Sequence, residues 1–552
     1  MSIKGKYISS AVMLLVSGII VKAIGAVYKI PLTAYIGTVG RGYYAFAYNL
    51  VMPLHAVTMG AFPIALSKLV SKYVAKKDFN TVLSLKKGAI RLFIVVGFVG
   101  MLLLLICAEP YCRFVVKSPG SIYASLVVAP SLLFSCIGGA YRGYYEGLIN
   151  MLPTAVSQVI EAVCKFVFGI AFAKIAYQRI TDELFEQNAL ICDNDLSIVY
   201  PYSTAAAMLG VTLASFVSLA FLCLYSVSHK DSGEICDIRS AEKMLLCFAF
   251  PIMISSCVQS IFQFLDSTAV QLALNMLSPD LIREHYSSAL SLVTVADSEL
   301  SSYAYGVLSA SLDFKNLVPG ITMSLGICAV PVISSAFECS DKFRLCAMFN
   351  LIFKYTTLLS CLGGLVLYVG ADDALTVLYA NKSPDIVIAC TPLIRMFALT
   401  VGVYSVSGFL VYSVQSIGMA QKSIPSYIVC GIIRVVLNIL LVNNGTLLLY
   451  GFVISSFVGY AVLAVWNLAV FVRYAGCRVD YVRSIFLPVL IKFGVILLWL
   501  YAFSDVQFSS NKVIDLLVKA VFASIIYLLP CFLCGLLKLN DIFCYFADKK
   551  NR

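Results

Sequence analysis

The chain has 552 residues, 61% of them apolar and only 12% charged, with a mean hydropathy of +0.92. The length alone would suggest three or four soluble domains, but a soluble protein has nowhere to bury so large an apolar fraction, and an integral membrane protein is expected instead. The formal charge of +11 comes from 40 Lys and Arg against 29 Asp and Glu; most of these cations lie in short loops on one side, with no basic, aromatic-interleaved soluble domain to bind nucleic acid.

Apolar windows between charged or turn-rich breaks predict about fourteen spans, near 10–36, 43–70, 84–108, 122–146, 153–177, 203–228, 242–275, 301–338, 345–370, 383–412, 422–445, 447–473, 484–504 and 512–538. Their length is that of membrane helices, and no run of alternating ten-residue segments suggests an outer-membrane barrel. The fold class expected is therefore an all-α polytopic membrane protein. Lys4 and Lys6 precede a first run without a convincing small-residue cleavage site, which reads as a retained span.

Ionisable residues inside apolar spans are costly unless they face water or a partner, so they carry the functional reading. The first span holds Lys22 and Lys29, seven apart and on one helical face, with Arg41 just beyond its outer end. Gly25, Pro31 and Gly37 around them fit either an ordinary packing kink or a hinge. Between the second and third spans lie Lys68, Lys72, Lys76, Lys77, Lys86, Lys87 and Arg91, whereas the loops near 178–200 and 279–300 are rich in Asp and Glu. This asymmetry puts the N-terminus inside, and an even span count returns Lys549, Lys550 and Arg552 to the same side. Arg142 ends the fourth span. In the fifth, Glu161 and Lys165 are spaced to neutralise each other.

Asp266 sits mid-span in the seventh helix. With an oxygen ligand such as Asn438 it could hold a sodium ion or carry a proton; the alternative is an ion pair with a lysine. Asp313 and Lys315 in the eighth span are two apart and point in different directions. Arg395 and Arg434 lie in the tenth and eleventh spans, and Lys492 and Lys519 in the last two are expected to snorkel to an interface. Lys22, Lys29, Lys315, Arg395 and Arg434 together would line a wet basic chamber suited to a phosphate or pyrophosphate group. The 19 Cys lie mostly in apolar runs, Cys531-x-x-Cys534 among them, and only His55, His229 and His285 are available. No metal or redox centre is expected. Gly5-Lys6 lacks a phosphate-binding loop, so an ATP-driven pump is not expected either.

Ala61-Phe62-Pro63-Ile64-Ala65-Leu66-Ser67 resembles Ala329-Val330-Pro331-Val332-Ile333-Ser334-Ser335 at an offset of 268, and Leu152-Pro153-Thr154 matches Ile424-Pro425-Ser426 at 272. Near-equal offsets favour two parallel six-helix repeats related by pseudo-two-fold symmetry. The expected domains are a lobe at 1–228, a cytoplasmic linker at 229–241, a second lobe at 242–473, and two additional helices with a tail at 474–552.

Val21-Lys22-Ala23-Ile24-Gly25, the region from Gly37 to Tyr44, Gly60-Ala61-Phe62-Pro63, and Arg142-Gly143-Tyr144-Tyr145-Glu146-Gly147-Leu148-Ile149-Asn150-Met151 leading to Pro153-Thr154-Ala155 carry a resemblance. The chain resembles the multidrug/oligosaccharidyl-lipid/polysaccharide exporter superfamily, particularly its stage V sporulation protein B-like branch and the neighbouring MurJ-type lipid II flippases. That resemblance implies fourteen helices, two lobes in a V, and alternating access carrying an isoprenoid-linked saccharide pyrophosphate between leaflets. It also implies a basic cavity on the first and eighth spans, with Lys22 placed like the family's first-span Arg and Lys315 near its eighth-span basic residue. Met59 and His55 depart from the Glu and Arg common in the flippase group, which puts lipid II itself in doubt.

The expected function is a flippase in the bacterial plasma membrane for a polyprenyl-pyrophosphate-linked saccharide of cell-wall or spore-cortex type. Lys22, Lys29 and Lys315 would bind the pyrophosphate, Arg41 would gate the outer side, and Arg142 would stand at the cytoplasmic mouth. No cofactor beyond a coupling sodium ion or proton is expected, the chain should act as a monomer among membrane lipids, and a cell-wall synthase is a candidate partner. A drug/cation antiporter would need an acidic chamber. A polytopic glycosyltransferase would need catalytic acids or His in a substantial outer loop, and Asp182, Glu183, Glu186 and Asp193 read more simply as solvated charges.

Overall fold

The computed structural model describes residues 3–56, 62–186, 196–228, 237–503 and 506–537. Among them there is no strand, and the chain forms fourteen long helices. The expected linker at 229–241 and the positions Met59, Gly60, Ala61, Asp193, His229 and Lys549 to Arg552 lie wholly or largely outside the described residues.

Residues Met1–Ser309 and Ala310–Arg552 form two compact units. The first contains α1 (Ile3–His55), α2 (Phe62–Ala75), α3 (Phe79–Pro110), α4 (Ser121–Gly147), α5 (Leu152–Glu186), α6 (Leu196–Ser228), α7 (Ile238–Met276) and the opening turns of α8 (Leu300–Glu338). In it α5 and α6 pack on each other, α4 packs on α3 and α6, and α7 lies against α1, α2 and α3. The expected acidic loop near 279–300 contains two short helices, Pro279–His285 and Ser287–Leu290, and Arg283 of the first pairs at 2.5 Å with Asp297, beyond the second.

The second unit contains the rest of α8, then α9 (Lys342–Tyr379), α10 (Pro384–Ser416), α11 (Ile424–Val442), α12 (Leu449–Ala475), α13 (Leu487–Ala502) and α14 (Lys512–Leu533). Here α12 packs on α10 and α11, while α9 packs on α10, α13 and α14. The two C-terminal helices are thus built into this unit through a core that includes Leu365, Trp499, Tyr527 and Cys531. Cys531 serves there as a small buried hydrophobe.

Local chemistry sets the ends. Asp78, Asp237, Asp341 and Asn511 cap α3, α7, α9 and α14 with side-chain oxygens that accept first-turn amides. Pro384, Pro425 and Pro488 open α10, α11 and α13, where the missing amide hydrogen is not needed. Of the repeat pairs, Pro153 and Pro425 both stand at the second residue of a helix, whereas Pro63 opens α2 and Pro331 lies deep inside α8.

Among the described residues, ten helices are long and apolar enough to cross a membrane. The first two predicted spans separate at 37–42 as expected: the helical run Ile3–His55 is two helices meeting at a kink at Gly37, whose φ is +64° and ψ −178°. A side chain there would be strained by its backbone and would also meet the Tyr200 ring at 2.6 Å.

Candidate functional site

In the second unit, α8 carries Lys315 into an enclosure of rings. Its Nζ lies 5.2 Å from the centroid of Phe397, 4.8 Å from Tyr404, 5.9 Å from Phe452 and 5.3 Å from Tyr460, and the residue is 5% exposed. Arg434 of α11 reaches the same place: its guanidinium carbon is 4.7 Å from the Tyr460 ring and 6.0 Å from Phe452, and Nη1 donates to the Tyr460 hydroxyl at 3.1 Å. Ring faces attract cations, and burial strengthens the attraction. Two cations from different helices therefore converge on one pair of aromatic rings in an apolar setting. The four rings come from α10 and α12, and nothing in the charge pattern marked them; the polar Tyr404 and Tyr460 on otherwise apolar helices were the available signal.

The first unit holds a second polar cluster. Arg142, 6% exposed, donates from Nε to Ser157 Oγ at 3.0 Å and from Nη2 to Ser218 Oγ at 2.9 Å and to Glu161 Oε2 at 2.7 Å. It joins α4, α5 and α6. Glu161 thus pairs with Arg142, not with Lys165 as the i, i+4 spacing suggested. Lys165 donates instead to the Tyr48 hydroxyl at 2.6 Å and lies 4.8 Å from the Tyr48 ring and 5.4 Å from Tyr28. A neighbouring helix offered a better partner than the local one. His55, ending α1, lies within the electrostatic reach of Glu161, Arg142 and Lys165.

The other expected site residues are distributed as follows. Lys22 is exposed and Lys29 half-buried on α1. Arg41 is buried and donates from Nη1 to Thr33 Oγ1 at 2.7 Å, across the Gly37 break; Thr33 in turn donates to the Lys29 carbonyl at 2.7 Å. Asp266 is buried on α7 beside Tyr305, whose hydroxyl accepts from Asn49 Nδ2 at 2.8 Å. Asn438 belongs to the other unit, where it is buried and accepts a short hydrogen bond from Ser455. Asp313 is half-buried and Arg395 exposed.

Two expectations of snorkelling are corrected. Lys492 is 2% exposed and donates to the carbonyls of Ala398 at 2.7 Å and Leu399 at 3.1 Å. Lys519 is paired at 2.7 Å with both Asp373 and Asp515. Each lysine found acceptors inside its own helix bundle before it could reach an interface. Among the described residues no group of three or more His, Cys, Asp or Glu is arranged to hold a metal.

Repeated apolar helices with internal cation sites define a multi-pass membrane protein of transporter architecture. The sequence matches the family described as "Polysaccharide biosynthesis protein" over residues 8–337, and the chain belongs to that family, in the MurJ and stage V sporulation protein B-like branch of the exporter superfamily. It is 22% identical over 486 residues to the lipid II flippase MurJ of Bacillus subtilis (strain 168), covering 82% of this chain and 80% of that one. It is 20% identical over 474 residues to stage V sporulation protein B of the same organism, covering 84% and 83%. A solved inward closed conformation of lipid II flippase MurJ matches with a TM-score of 0.64 at 12% identity, covering 94% of this chain and 98% of that chain. An inward-facing multidrug resistance MATE family transporter also matches with a TM-score of 0.64, at 14% identity, covering 82% and 94%. The chain is a flippase or transporter of this superfamily, with the shared helical fold.

Proposed function

We propose that the chain is a flippase for a polyprenyl-pyrophosphate-linked saccharide of cell-wall or spore-cortex type. The observation that carries this reading is the convergence of Lys315 and Arg434 on the Phe452 and Tyr460 rings. A multivalent anion can share its charge between two cations held at the same rings, which offsets the loss of its own water, whereas a cationic drug finds no such attraction to them. Membership of a branch that includes a protein named lipid II flippase supports the same reading, and the departures at Met59 and His55 leave the saccharide open.

In this reading Lys22 and Lys29 on α1 in the first unit and Arg395 on α10 in the second are further candidates for binding the headgroup, each within its own unit, with Arg41 the candidate gate on the outer side and Arg142 the candidate at the cytoplasmic mouth. The polyprenyl tail stays in lipid while the headgroup crosses. Asp266 and Asn438 are the candidates for coupling to sodium or a proton, both termini face the cytoplasm, and the chain works as a monomer that can hand its cargo to a cell-wall synthase.

The test is reconstituted flipping of a labelled lipid-linked saccharide. Lys22→Ala and Lys315→Ala should each abolish leaflet exchange with membrane insertion intact, and no saccharide should be released from the donor. Normal exchange in both variants would remove the anion-site reading, and saccharide release would replace the flippase with a transferase.

A further inference from the structure

On α12, Phe457, Ala461, Val465, Ala469 and Arg473 repeat every fourth residue and so form one continuous row. Together with Trp466 and Tyr474 on the adjoining row, they line a surface groove of about 880 Å³. The alanines give it depth. From Phe457 to Arg473 the helix rises about 24 Å, more than the roughly 15 Å of hydrocarbon in one leaflet, so an acyl chain in the groove stays beside α12 for its whole length.

One end of the groove is cationic. Arg473 lies in the last turn of α12, which Gly476 stops with a φ of +64°. Lys422, in the single 3-10 turn Ala420–Ser423 before α11, lines the same end, followed by Pro425. That wall is fixed to α12 by buried hydrogen bonds: Ser423 Oγ donates to Asn467 Oδ1 at 2.6 Å, and Asn467 Nδ2 donates to Ser426 Oγ at 3.0 Å. Lys422 is therefore mounted beside an anchored residue, and among the described residues no acidic one lines the groove. Trp466 and Tyr474 have the amphipathic rings favoured at a membrane interface. None of these residues belongs to the ring enclosure around Lys315.

We propose that this groove binds an anionic diacyl phospholipid of the surrounding bilayer, with its phosphate between Lys422 and Arg473 and one acyl chain along Phe457 to Ala469. Charge selects the headgroup, and the row of small residues seats the chain. The site is independent of the flippase reading, because it needs neither leaflet exchange nor the Lys315 cluster.

The experiment is native mass spectrometry of the full-length protein, counting retained dioleoylphosphatidylglycerol against dioleoylphosphatidylcholine. The wild type should retain phosphatidylglycerol preferentially. The double variant K422Q/R473Q should lower its occupancy by about fivefold per cation removed, leaving phosphatidylcholine unchanged. A469F keeps both charges and fills the groove, and should weaken retention of phosphatidylglycerol with an unchanged melting temperature. Unchanged phosphatidylglycerol retention in both variants would overturn the site. So would displacement of phosphatidylglycerol from the wild type by an equal concentration of a polyprenyl phosphate, which would make the groove an isoprenoid seat, or a dimer that A469F dissociates, which would make it a subunit contact.

Discussion

Arg142 and Lys315 show two ways for a buried cation to be held. Arg142 is satisfied by a carboxylate and two hydroxyls from two helices, a geometry that needs the fork of a guanidinium. Arg142→Lys should therefore behave almost as badly as Arg142→Ala, each costing about 1–3 kcal/mol in thermal unfolding in detergent; a Lys variant as stable as the parent would show that only the charge matters. Lys315, in contrast, lies among ring faces that accept an apolar stem equally well. Lys315→Met keeps the apolar stem among the rings and removes the charge, and should lose flipping in the reconstituted assay. Tyr460→Phe removes the hydroxyl that accepts from Arg434 and should cost about 1 kcal/mol. The cations were legible in the sequence because charge is rare in apolar runs. Their partners were not, because Ser157, Tyr48 and Tyr460 look ordinary until helices distant in sequence bring them together.

Helix positions were largely legible, since apolar length alone predicts them, and the capping residues and opening prolines stand where the backbone needs them. The boundary at 37–42 was legible as a break between two apolar runs, but that Gly37 makes it with a positive φ was not, because hydropathy does not report backbone angle. Close helix approach was equally silent. In the first unit a Cβ at Gly42 would collide with the Ser302 carbonyl, and one at Gly306 with the Thr38 carbonyl, so α1 and the opening of α8 meet backbone to backbone through paired glycines. Gly306→Ala should therefore reduce the melting temperature more than Gly25→Ala, where nothing lies within 4 Å; equal effects would deny the close crossing. At the start of α3, hydrogen bonds from the Thr81 hydroxyl and then its amide hold the Asp78 carboxyl below the usual aspartate range. A depressed pKa contributes stability that is complete above the unfolded value and lost as pH falls through the folded one. The protection factor of the Thr81 amide, taken against its intrinsic exchange rate at each pH, should accordingly fall on acidification across that window, and should be low at every pH in Asp78→Ala.

At the scale of the molecule, the helix starts at Pro153 and Pro425 were legible, but the attachment of the last two helices was not. That attachment is electrostatic as well as apolar. Asp373 on α9, 2% exposed, faces Lys519 at 2.7 Å and Lys512 at 3.4 Å, while Lys519 also meets Asp515, whose other oxygen accepts the amides of Phe508 and Ser509. The sequence reading treated Lys519 as a lone cation near lipid because Asp373 stands 146 residues away.

A chain cut back to residue 511 would lose both lysines and leave the buried Asp373 carboxylate without its partners, and breaking a buried pair by removing one side costs about 3–5 kcal/mol. Such a truncation should fail to accumulate in membranes, and the same truncation carrying Asp373→Asn should accumulate at higher levels; identical yields would show that the tail is held by grease alone. Anyone trimming the last two helices from this molecule must therefore edit a distant acid in the same stroke.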